Sequence, residues 1–135
     1  MRVVIAALGA ALVLLSGCGA SAGDVLAIEV SGGPLPAKQI LEVTVDGQGS
    51  CDRGKLHEIP NDRLIDAQGV ARDAKPLAEA STDYTGAGRR EGRRYLLRLP
   101  QGNVEWTEGR PGLPAALARA QLLALELGRQ LCGRG

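Results

Sequence analysis

From Asp24 onward the chain alternates. Leu26, Ile28 and Val30 share one face of the first segment, and Val25, Ala27 and Glu29 share the other. A period of two with one strongly apolar side predicts a half-buried strand. Ser31-Gly32-Gly33-Pro34-Leu35-Pro36 interrupts it, because two Gly and two Pro in six residues suit a shaped loop and neither a helix nor a ladder. Alternation resumes from Gln39 to Val45, with Leu41, Val43 and Val45 inward and Glu42 and Thr44 outward. Asp46-Gly47-Gln48-Gly49 closes it as a turn. The pattern predicts a hairpin with a long, stiffened connection.

Cys51 to Pro60 has no clean period. From Asp62 the apolar positions take up helical spacing at Leu64, Ile65, Ala67, Val70, Ala71 and Ala74. Asn61 is the expected N-cap, and Asp62 places a negative charge in the first turn, where it suits the helix dipole. Gly69 weakens this helix, and Pro76 is expected to kink or split it, leaving residues 78–80 as a separate turn. Ser81 to Gly92 reads as a polar, Gly-rich loop. Arg93 to Leu99 alternates again, with Tyr95, Leu97 and Leu99 inward. Pro100-Gln101-Gly102-Asn103 is a tight connection to a strand that turns Val104 and Trp106 inward. A last helix runs from Pro114, a residue suited to a first helical position, to Leu131. Its apolar face carries Ala116, Ala120, Leu123, Leu127 and Leu131, opposite Arg119, Glu126 and Gln130.

The element order is strand, strand, helix, strand, strand, helix. Two such units side by side predict an α+β fold: a four-stranded antiparallel sheet (ββαββα order) with both helices packed on one face. The other sheet face then presents Glu29, Glu42, Arg94, Arg98 and Glu105 as a solvated, charge-paired surface.

The segment before this domain has a different character. Arg2 is followed by an apolar or small run from Val3 to Leu15 and then by Leu15-Ser16-Gly17-Cys18. A positive start, a short apolar stretch and small residues at a cleavage point make a secretory signal, too short for the roughly 20 apolar residues of a spanning helix. Leu15-Ser16-Gly17-Cys18 resembles the lipobox of bacterial lipoproteins. The resemblance implies cleavage before Cys18 and attachment of lipid to its sulfur, with residues 1–17 as signal peptide, 18–23 as a lipidated flexible tether and 24–135 as a single domain. Two or more acyl chains hold a protein stably on a bilayer, each buried methylene contributing about 0.8 kcal/mol. The tether Gly19-Ala20-Ser21-Ala22-Gly23 reaches at most roughly 20 Å at about 3.5 Å per residue, so the domain sits close to the membrane.

With Cys18 assigned to lipid, Cys51 and Cys132 remain. Outside the cytoplasm an even pair reads as a disulfide. A structural zinc site fails on ligand count, since His57 is the only His and neither Cys has a close Cys partner. A Cys51 and His57 nucleophile pair lacks an orienting group.

Composition narrows the function classes further. Basic and acidic side chains number 16 and 15, and removal of residues 1–17 takes only Arg2, leaving 15 against 15. Nucleic acid is therefore not an expected partner, and with aromatic residues at 2% a base-stacking surface is excluded as well. No motif for nucleophilic catalysis, phosphate cradling or metal binding occurs, so no catalytic residue, metal or cofactor is expected. The densest charge run is Arg89-Arg90-Glu91-Gly92-Arg93-Arg94. Its ordinary use is a solvated loop; its functional use would be contact with lipid headgroups or an acidic partner. Trp106 is expected in the core.

The layout as a whole carries a second resemblance. Val25 to Val30 followed by Ser31-Gly32-Gly33, a second strand ending near Asp46-Gly47, then Tyr95-Leu96-Leu97, Val104 and Leu113-Pro114 leading into an Ala/Leu helix resembles emfourin-type inhibitors of thermolysin-like metalloproteases. The resemblance implies a loop surface that blocks a protease, with Ser31, Gly32 and Gly33 as candidate contact residues. Pro34-Leu35-Pro36 stands where such proteins usually place an aromatic and another Gly. The expected function is a membrane-anchored, extracytoplasmic, non-enzymatic binding protein whose partner is a protein such as a secreted metalloprotease. The alternative is a structural envelope lipoprotein that docks a larger membrane assembly.

Overall fold

Two long hairpins set the architecture. In the computed structural model, which describes residues 23–133 apart from 87 and 89, the chain forms β1 (Asp24–Gly32), β2 (Gln39–Thr44), β3 (Gln48–Cys51), β4 (His57–Glu58) and α1 (Asn61–Glu79). It continues through β5 (Asp83–Tyr84), β6 (Arg93–Leu99), β7 (Gly102–Thr107) and α2 (Ala115–Leu127), and ends in a π-helical turn at Gly128–Cys132. β1 pairs antiparallel with β2 on one side and with β6 on the other, and β6 pairs antiparallel with β7.

Among the described residues the fold is α+β with two α-helices, as expected, but the sheet is not the four-stranded antiparallel one. It has seven strands in the order β4-β3-β2-β1-β6-β7-β5, and it is mixed, because β5 runs parallel to β7. The additional strands are two to four residues long, too short to show a period. β3 is further disguised because it contains Gly49, which resembles a turn residue. A Cβ at Gly49 would lie 2.9 Å from Leu131 Cδ1 and 3.0 Å from Ile59 Cγ2, so the strand needs glycine for close packing and not for a turn. The turn itself is Val45-Asp46-Gly47, and Val45, expected inward, is 61% exposed.

The core lies between one sheet face and the two helices. Leu26, Ile28, Leu41, Val43, Leu97, Leu99, Val104 and Trp106 are fully buried there. From the helices come Ala67, Val70, Ala74, Leu117, Ala120, Leu123 and Leu127. Tyr95 stacks on Trp106 with ring centroids 5.1 Å apart and planes inclined by 10°, a pairing that adds about 1 kcal/mol to the burial itself.

Both helices begin at proline caps. Pro60, and not Asn61, is the N-cap of α1, its carbonyl accepting from the Arg63 and Leu64 amides. Pro114 plays the same part for α2 in place of a first helical position. The split expected at Pro76 does not occur, and residues 78–80 are not a separate turn: α1 continues as one helix to Glu79, with Ala74 and Ala78 buried on either side of the proline. α1 and α2 are antiparallel, fastened by Arg63 to Glu126 at 3.0 Å and Arg119 to Asp73 at 2.7 Å. A disulfide joins Cys51 at the end of β3 to Cys132 in the π turn, with Cα atoms 5.3 Å apart.

Candidate functional site

The register of β1 divides the molecule into two ends. Gly23, which leads into β1, accepts a hydrogen bond from the Val45 amide and lies beside the β2–β3 turn. Gly32 closes β1 and pairs with Arg93, the first residue of β6. The strand's nine residues separate these ends by about 26 Å. The 32–38 loop, the segment leading into β6 and the 108–113 segment after β7 gather at the far end, while Cys51, opposite Leu41 and so level with Ile28, lies midway along β1.

The candidate contact residues shape that end. Ser31 is half-buried in β1 opposite Arg94, while Gly32 and Gly33 are exposed. Both glycines have positive φ, +75° and +58°, and the Leu35 amide closes the turn onto the Gly32 carbonyl. A side chain at Gly33 would meet Arg93 Cγ at 3.0 Å and the Glu91 carbonyl at 3.4 Å. The Gly-Gly turn therefore lies directly against the Arg-rich run, so two features far apart in the sequence form one surface. Arg89 lies outside the described residues, as do Cys18, the expected signal segment and the expected tether through Ala22. Pro34, Pro36 and Ala37 are exposed, whereas Leu35 turns inward and packs against the core. The Pro34-Leu35-Pro36 segment thus provides an apolar peg between two residues of restricted φ.

A buried carboxylate supports the loop from below. Glu29 is 7% exposed, and it was expected on a solvated face. It accepts a hydrogen bond of 2.6 Å from Arg98 Nε and pairs with Lys38, the last loop residue, at 2.9 Å. Burial pushes its pKa up, but the hydrogen bonds and charges of Lys38 and Arg98 outweigh burial and hold the carboxyl below the usual carboxylate value. On the other side of β6, Glu108 accepts from the Arg93 amide at 2.9 Å and its own amide donates to the Arg93 carbonyl. These two carboxylates fix both margins of the loop surface. The sequence pattern places Glu29 with Arg98 on a charge-paired face but not its burial or its Lys38 partner, and it does not single out Glu108, because these pairings depend on strand register.

No known protein family, curated protein or solved structure matches this chain. Its chemistry rests on its own residues. His57 stands on β4, paired with Gly49, while the Cys51 sulfur is committed to the disulfide. Among the described residues no group of three His, Cys, Asp or Glu is placed to hold a metal ion, and no helix is long and apolar enough to cross a membrane.

Proposed function

We propose that this protein is a lipid-anchored, extracytoplasmic binding protein that presents its 32–38 loop to a protein partner, with inhibition of a thermolysin-like metalloprotease as the specific form. The observation that carries this reading is the position of the loop at the opposite end of β1 from Gly23. Cys18, the expected lipid site, is five residues before Gly23, so the near end of the domain faces the bilayer and the loop end faces away from it. The Cys51–Cys132 disulfide suits an oxidising compartment. The turn against Arg93 and the Leu35 peg lower the ordering entropy that a partner would otherwise have to overcome.

Titration of a thermolysin-like protease with the purified chain tests the inhibitor form. Stoichiometric loss of activity, weakened at least about tenfold by Gly33→Trp, supports it; full activity at micromolar protein refutes it. Membrane fractionation of Cys18→Ala tests the anchor, since retention of the variant on membranes would contradict lipid attachment at that residue.

A further inference from the structure

Between the 32–38 loop, β6 and the C-terminal helical segment lies a cavity of about 370 Å³. At about 30 Å³ of liquid volume per water it has room for a ligand on the order of ten non-hydrogen atoms. Leu35, Ala124 and Leu125 give it apolar walls, and two arginines from different elements, Arg93 and Arg129, also line it. No carboxylate is among its described lining residues. Arg93 makes only a loose 3.9 Å pair with Glu108, and Arg129 takes part in no ion pair among the described residues. Tyr95 also lines the cavity, and its buried hydroxyl has no hydrogen-bond partner among the described residues. A buried donor without an acceptor is a standing cost that an acceptor placed nearby relieves.

We infer that this cavity binds a small monocarboxylic acid with a compact apolar body. The hydrocarbon part contacts Leu35 and the α2 wall, and the carboxylate takes the charge of Arg93 and Arg129, groups whose planar donors suit a carboxylate. One face of the frame is rigid, since the disulfide fixes the segment that carries Arg129. The site stands whether or not the 32–38 loop meets a protein. The carboxylate has two sources, a free acid or the C-terminal residue of a peptide.

Calorimetric titration of the full chain in nonionic detergent, against a detergent blank, tests the inference with benzoate, phenylacetate and hexanoate, and with benzamide and hexanamide as uncharged counterparts. At least one acid is expected to bind saturably with a dissociation constant below about 1 mM, and its amide at least about tenfold more weakly. Arg129→Gln, at an exposed position, weakens the acid by a similar factor without moving the thermal midpoint. Leu35→Trp fills the cavity and abolishes binding; Leu125→Trp, at a half-exposed helix position, does so from the opposite wall should the loop variant fail to fold. Competition by a Leu-ended peptide with a free carboxylate, and not by its amide, assigns the site to a peptide terminus; binding of free acids alone assigns it to a metabolite. Equal binding of acid and amide, or no acid binding below about 10 mM, overturns the inference.

Discussion

Replacing both Cys51 and Cys132 by Ala isolates what the disulfide contributes. The two residues are 81 apart, and closing a loop of that length removes about 15 cal/mol/K from the unfolded chain, or about 4.5 kcal/mol at 25 °C. The folded state loses little besides, because both cysteines are only half-buried and Leu131 still packs on Gly49. For a domain of about 110 residues the unfolding entropy is about 0.23 kcal/mol/K, so the melting temperature should fall by about 20 °C. Thermal unfolding followed by circular dichroism measures this directly, and reduction of the wild-type chain should reproduce it. Native-state hydrogen exchange adds a second reading. If the bond acts on the unfolded chain, amides of residues 128–132 lose protection only in parallel with the whole domain. A melting shift under about 5 °C, together with selective loss of protection in that segment, would refute the reasoning: the bond would then pin a fraying end and not constrain the unfolded chain.

Three further substitutions probe the support of the loop surface and the helix contacts. Glu29→Gln should cost about 1–2 kcal/mol at neutral pH in urea unfolding. The folded-state pKa of Glu29 is depressed, so its contribution is complete above the ordinary carboxylate value and is lost as pH falls through the folded one. Wild type and variant should converge in acid, and a difference that stays constant from pH 7 to pH 3 would contradict the ion-pair account. Gly102→Ala should destabilise by more than about 3 kcal/mol, since φ is +149° and the new methyl would run into the Ala78 carbonyl at the end of α1. Gly69→Ala should stabilise by up to about 1 kcal/mol, because the group it meets is only the far end of the long Arg119 side chain; a clear loss in denaturant titration would mean that the Arg119 to Asp73 pair matters more than helix propensity.

What the sequence made legible follows from length and period. β1, β2, β6 and β7 each carry several apolar residues on one face, and the two helices each hold an apolar stripe for three turns or more, so their patterns survive without structural context. β3, β4 and β5 have too few residues to show a period, and they exist because longer strands offer them free edges. Val45 misled because the alternation ran one residue past the point where the Thr44 to Asp46 hydrogen bond turns the chain. The split expected at Pro76 is absent because local propensity yields to tertiary burial when alanines on both sides are at the core. The loop was legible from Gly and Pro alone. The shared face of Glu29 and Arg98 was legible too, but not their specific pairing or the burial of Glu29, since Arg98 reaches Glu29 across 69 residues of chain and only the β1–β6 register brings them together.

The same register explains how an aromatic-poor core is distributed. Tyr95 and Trp106, which face each other across β6 and β7, sit two residues or fewer from the strand ends that meet the 32–38 loop. Cys51 pairs with Leu41, two residues from the return of that loop into the sheet. Leu35 packs against the core from the loop itself. The stacked rings and the peg therefore brace the end that carries the proposed contact surface, and the disulfide ties the cavity-lining Cys132 to the middle of the sheet, while the end near Gly23 relies on Leu, Val and Ala packing. Rigidity concentrated at one end costs a binding protein least where it lowers the entropy lost on association. If the loop end had no ligand, a more even distribution of these constraints would stabilise the fold equally well, and their clustering is the physical reason to seek the partner there.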